Sequence, residues 1–242
     1  MSLSKVAFAA VPAAVIGLVA AQGAHVRRTA LRLPEAVDPL GEHGDAGEPL
    51  HLVVIGDSVA AGVGIDHHGN TIAGRLADRL ATDRRVRRTV VARSGHTARD
   101  IIDLVRGRLD DADVVVLSVG VNDTKNLHSA KRWRRDLTEL LDVVTAEAPG
   151  VPVVLLGLPP MEVFPAMPRA LGLALGARVR VMDRMARDVA SSYPTVLRVP
   201  LRRTDFGTTV DAFAPDGFHP SATSHEAFAN RIHELLKEHR HV

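Results

Sequence analysis

From residue 50 to the C-terminus, apolar runs alternate with amphipathic stretches. Residues 52–55 (LVVI) are uninterrupted apolar and predict a buried strand. Residues 71–81 place Ile72, Leu76 and Leu80 at four-residue intervals, which predicts a helix. A second strand is expected over 86–92. A helix follows over 97–109, with Ile101, Ile102 and Val105 on one face. Residues 113–119 (DVVVLSV) are β-branched and apolar, as in a central strand of a parallel sheet. A long helix over 131–148, a fourth strand over 151–158, an Arg-rich helix over 171–191, a short fifth strand over 195–199 and a closing helix over 221–238 complete the pattern. This alternation predicts an α/β fold, a three-layer α/β/α sandwich on a five-stranded parallel sheet, with no internal repeat.

The first 49 residues follow a different rule. Residues 6–21 are almost wholly apolar, broken by Pro12 and Gly17, with Lys5 before them and Arg27, Arg28 and Arg32 after. Sixteen residues are fewer than the roughly 20 of a membrane span and match a signal-peptide core; counting on to Ala24 reaches a marginal span. A retained N-terminal anchor, a cleaved signal segment ending near Val19-Ala20-Ala21 and a buried helix are the three readings, in that order. The arginines after the run favour the first. Sidedness stays open, and cleavage would make the protein secreted. Residues 29–49 carry three prolines and three glycines without periodicity and read as a linker. The expected organisation is therefore an anchor or signal-like segment over 1–28, a linker over 29–49 and one folded domain over 50–242.

Composition narrows the chemistry. The 242 residues suffice for one sizeable core. Aromatic residues are 3%, too few for stacking platforms that grip single-stranded nucleic acid, and a net charge of +2 gives no reason to expect a nucleic-acid partner. Cysteine is absent, which excludes disulfides, thiolate metal sites and a Cys nucleophile. No metal-ligand spacing stands out, and no cofactor is expected. Gly62-Val63-Gly64 is only a fragment of a phosphate loop.

The candidate chemistry sits where strands end. Gly56-Asp57-Ser58 follows the first strand and presents one hydroxyl at the tip of a glycine turn. Asp216-Gly217-Phe218-His219-Pro220 places a carboxylate and an imidazole three residues apart in a constrained turn, with Ser221 as the cap of the next helix. Of the 12 histidines, His219 alone lies in such a turn; His67, His68, His239 and His241 read as solvated. Ser94-Gly95-His96-Thr97 and Gly120-Val121-Asn122-Asp123 follow the second and third strands. They offer a backbone N–H at Gly95 and a side-chain amide at Asn122. Residues 159–170 hold four prolines with Met161, Val163, Phe164 and Met167, either a surface connector or a substrate-facing lip.

In these blocks the chain resembles the SGNH hydrolases, or GDSL esterases and lipases, over about residues 50–235. Val59 departs from the Leu of the family's usual block, Val121 from a frequent Gly, and Ser224 from a common Gly; no reacting group is lost. The resemblance implies a flavodoxin-like SGNH fold and a serine esterase working through an acyl-enzyme. Ser58 would be nucleophile, His219 base and Asp216 its orienter. Ser58, Gly95 and Asn122 would form the oxyanion hole, with Gly56 and Asp57 supporting the turn. An α/β-hydrolase fits worse, because there the nucleophile follows several strands. A non-catalytic binding domain would be expected to lack one of these groups. The expected partner is a small-molecule ester, with membrane contact through residues 6–24 and a monomeric domain. Acetyl-sugars, lysophospholipids, short esters and thioesters all suit this machinery. The apolar N-terminus and the 161–167 loop tilt it toward short or lipid-like acyl esters.

Overall fold

The computed structural model describes residues 3–206 and 210–239, with side chains from Val15 onward except at position 210. His241 lies outside them. Six strands form one sheet: β1 (Leu40–His43), β2 (Glu48–Gly56), β3 (Arg84–Ala92), β4 (Val114–Ser118), β5 (Val153–Leu156) and β6 (Val196–Val199). Their spatial order is β1-β3-β2-β4-β5-β6, parallel throughout except for β1, which runs antiparallel to β3. The helices are α1 (Leu3–Thr29), α2 (Ile72–Leu80), α3 (Ala98–Val105), α4 (Val121–Lys125), α5 (Ala130–Glu147), α6 (Arg169–Ala190) and α7 (Ala222–Glu238). α2 packs with α7, and α5 packs with both α3 and α6. The strand order and right-handed crossovers put these two groups on opposite faces of the sheet. β4 is buried along its whole length, as its unbroken apolar run requires.

The expected five-stranded sheet thus has a sixth strand, β1, drawn from the segment read as a linker. Its sequence, LGEH, has no apolar face to bury, and Leu40 stays exposed. Backbone pairing with β3 makes the strand, and Arg88 holds it. That buried guanidinium donates to the carbonyls of Asp38 at 3.0 Å and Leu40 at 3.1 Å. A polar edge strand fastened in this way leaves no hydrophobic signature to read.

Register places the site. β2 lies between β3 and β4, with Gly56 opposite Ser118 at its end. The chain moves outward on one side of β2 to β3, then crosses to the other side at β4. The carboxyl ends of β2 and β4 therefore flank the topological switch point, where ligands bind in open α/β sheets. Gly56 is required there: at φ +147° its missing Cβ would stand 2.2 Å from the Ser118 carbonyl oxygen.

At the N-terminus, α1 runs along α6. Val19 and Val26 pack partly on the core, and Gln22 accepts a hydrogen bond from the Leu171 N–H at 3.0 Å. Among the described residues no helix is long and apolar enough to cross a membrane.

Candidate active site

Four strand-end turns converge. After β2 the chain turns through Asp57 and Ser58, both buried. Asp57 braces this turn, its Oδ1 accepting from Ser118 Oγ at 2.9 Å and from the Val59 N–H at 3.2 Å. Complete burial pushes its carboxyl pKa up to about 6, partly offset by those two bonds and by the charges of Lys125 and His219. Its Oδ2 has no partner among the described residues. Ser118 is a site residue that sequence reading did not single out. Its position opposite Gly56 emerges only from register.

The histidine comes from the turn before α7. His219 Nδ1 lies 2.6 Å from Asp216 Oδ2, while Asp216 Oδ1 accepts from the N–H groups of Phe218 at 2.9 Å and His219 at 3.0 Å. Burial alone would raise the Asp216 pKa; the hydrogen bonds from the His219 ring and the two backbone groups outweigh it and hold the carboxyl below its ordinary value. An ionised Asp216 keeps a proton on Nδ1 and leaves Nε2 as an acceptor. The turn is stitched to the 159–170 loop, where the Ala166 N–H donates to the Gly217 carbonyl at 3.0 Å. Phe164 meets the Phe218 ring edge-on at 5.1 Å between centroids. Ser221 caps α7, its hydroxyl accepting from the Ser224 N–H.

Gly95 and Asn122 line the cleft that His219 also lines. The backbone N–H groups of Ser58 and Gly95 make no hydrogen bond among the described residues. Asn122, in the first turn of α4, donates one amide hydrogen to the His96 carbonyl at 2.8 Å, which fixes the amide and leaves its second hydrogen available. Asp123 anchors the same turn by accepting from the Ala98 N–H at 3.1 Å and pairing with His128 at 3.0 Å. Asp123, His128 and Asp136 are close enough to hold a cation, but Asp136 is already paired with Arg132 and Arg135.

Two spaces meet at the Phe218–His219 wall. One is enclosed and almost wholly apolar, lined by Ser58 and His219 with Val59, Val121, Leu156, Leu158, Phe164, Phe206 and Phe228. Two of the three departures from the family pattern, Val59 and Val121, are therefore walls of this pocket. The other is an open cleft of about 920 Å³, lined by Gly95, Asn122, Asp216, His219, Lys125 and Met167 together with the last turn of α1. Lys125 and α1 were not anticipated as parts of the site. Lys125 had a signal in its spacing, three residues after Asn122 and so on the same helix face.

Two expectations need correction. Of the four loop residues expected to face substrate, Phe164 and Met167 line these spaces; Met161 is fully buried in the core, and Val163 packs against it. The loop folds its alternate apolar groups inward because burying them removes them from water. His68 is not solvated but buried. Its Nδ1 lies 3.3 Å from Thr71 Oγ1, and its pKa is lowered to about 4 by burial and by the nearby Arg88. His67 is exposed as expected.

A serine and a histidine–aspartate pair that line one pocket at the carboxyl ends of a parallel sheet match a serine hydrolase of the three-layer α/β/α class. The chain belongs to the GDSL-like lipase/acylhydrolase family, which matches residues 54–227, and it is an ester-hydrolysing enzyme. Its fold is similar to that of TesA (24% identity, TM-score 0.62, covering 78% of this chain and 98% of that one). It is also similar to a lipase/acylhydrolase from Enterococcus faecalis (18%, 0.61, 78% and 96%). The psychrotrophic esterase EstA from Pseudoalteromonas sp. is a third likeness (15%, 0.59, 79% and 99%). No curated protein sequence matches the chain.

Proposed function

We propose that this enzyme hydrolyses esters of short acyl groups, with Ser58 as nucleophile. His219 Nε2 takes the Ser58 hydroxyl proton as Oγ attacks the acyl carbonyl, and later delivers it to the departing alcohol. The N–H groups of Ser58 and Gly95 and the free hydrogen of Asn122 hold the oxyanion. Water then attacks the acyl-enzyme by the same proton route, releasing the acid.

The observation carrying the acyl preference is the enclosed pocket behind Ser58. Its free volume is only about 30 Å³ against about 920 Å³ for the open cleft, and its walls are apolar. An acetyl-sized group fits with little movement, whereas a long chain must displace Phe164, Phe206 and Phe228. The alcohol then belongs in the open cleft, from which it leaves into solvent. Across p-nitrophenyl esters from acetyl to palmitoyl, kcat/KM is expected to peak between acetyl and butyryl and to fall at least about 100-fold by decanoyl, since the overpacking is severe. A maximum at palmitoyl overturns this reading.

We also propose that residues 6–24 hold the enzyme at a membrane. The apolar run supports this, as do the exposed side chains of Val15, Ile16 and Leu18. Full-length protein should stay in the membrane pellet through an alkaline carbonate wash. Release into the supernatant would argue against it.

A further inference from the structure

The open cleft contains a cation with no counter-ion among the described residues. Lys125 lies at the end of α4, one turn beyond Asn122, and is half-buried. Among the described residues its Nζ has no hydrogen-bond or ion-pair partner; it sits 4.8 Å from the centroid of the Phe218 ring. Burial pulls its pKa down, which is what an ammonium group without a counter-ion undergoes, while Asp57 and Asp216 pull it back up.

Neither carboxylate serves as its salt-bridge partner. Asp216 spends both oxygens on His219 and on backbone N–H groups. Asp57 is sealed beneath the turn that carries Ser58. A second cation lies close by. Arg27, in the last turn of α1, donates to the Lys125 carbonyl at 3.2 Å and lines the same cleft without an ion-pair partner among the described residues. The cleft's charged wall is therefore Lys125 and Arg27, and its one carboxylate, Asp216, already has its partners.

We propose that Lys125, assisted by Arg27, is an anion-binding subsite for the alcohol part of the substrate, which carries a carboxylate or phosphate. The assignment rests on the reading above, in which the acyl group occupies the enclosed pocket and the alcohol occupies the cleft. It makes the end of α1 a part of the substrate site. It also gives Lys125 a specificity role: a half-buried ammonium without a counter-ion gains from an anion that arrives with the substrate.

Three acetyl esters of matched size test it: 3-acetoxybenzoate, 3-acetoxyphenyl phosphate, and the neutral methyl 3-acetoxybenzoate. Wild-type enzyme is expected to favour at least one anionic ester over the neutral one by about 10-fold or more in kcat/KM, chiefly through KM. The larger of the two ratios tells carboxylate from phosphate. In Lys125→Met, which keeps the apolar stem over Phe218, that ratio should fall to about one; in Lys125→Arg it should recover. Arg27→Met, at an exposed position, should lower the ratio partway. Equal use of anionic and neutral esters by the wild type overturns the subsite and leaves the short-ester reading standing. So does a ratio that survives Lys125→Met. Turnover of none of the three overturns both.

Discussion

Ser58→Ala removes ester turnover and leaves the fold intact. The Ser58 hydroxyl makes no hydrogen bond among the described residues, and it faces the enclosed pocket rather than a packed neighbour. The turn is held by groups the substitution keeps: Asp57 Oδ1 with Ser118 Oγ and the Val59 N–H, and the Val63 N–H donating to the Ser58 carbonyl. Unfolding temperature should therefore shift by no more than about 2 °C, as for a change well under 1 kcal/mol. The rate should fall on the order of 10⁴–10⁶-fold, because the acyl-enzyme route is gone and only the oxyanion donors remain. Steady-state hydrolysis of an acetyl ester, labelling by a fluorophosphonate probe and a thermal melt measure the three quantities. Turnover within tenfold of wild type would remove Ser58 from its assigned role.

Asp216→Asn should cost nearly as much, about 10³–10⁴-fold in kcat, for a different reason. The two backbone N–H groups of Phe218 and His219 hold one side-chain oxygen in place, and an Asn amide oxygen can keep both. The amide nitrogen then faces His219 Nδ1 where Oδ2 stood, 2.6 Å away in the native chain. A donor there turns Nδ1 into an acceptor and moves the ring proton to Nε2, the atom that must take the proton from Ser58. The turn survives while the base is in the wrong tautomer. Activity on an acetyl ester should drop with KM nearly unchanged. A loss under tenfold would mean that Asp216 does not orient His219.

These two residues were legible in the chain because local rules govern them. Asp216 and His219 are three residues apart in one turn, so a short segment contains their whole interaction. Ser58 follows a four-residue apolar run and a glycine, a pattern with few other meanings at a strand end. Gly95 and Asn122 were also readable as turn residues after strands. Their convergence on one cleft depends on the sheet order, which no local pattern carries.

The groups that escaped notice share a cause. Ser118 matters because β4 pairs with β2 in a register that sets it opposite Gly56. Lys125 and Arg27 are 98 positions apart and meet because α1 lies against the body of the domain at the cleft. β1 was hidden because its pairing uses backbone groups and its one apolar side chain, Leu40, stays in solvent. Met161 and Val163 looked like a lip, yet apolar residues in a loop turn inward whenever a core is within reach.

Periodicity and strand-end turns, read along the chain, were thus enough for the sandwich, the Gly56-Asp57-Ser58 turn and the histidine–aspartate pair, since each depends on neighbours within a few residues. Packing alone settled the sixth strand, the partner of Asp57, the small volume behind Ser58 and the cationic wall of the cleft. Each of these joins segments far apart in the chain, and long-range contacts leave no mark in the local alternation of apolar and polar positions. The opening turn at Gly56-Asp57-Ser58 belongs to both accounts: its residues were readable in order, and its geometry exists because β4 runs alongside.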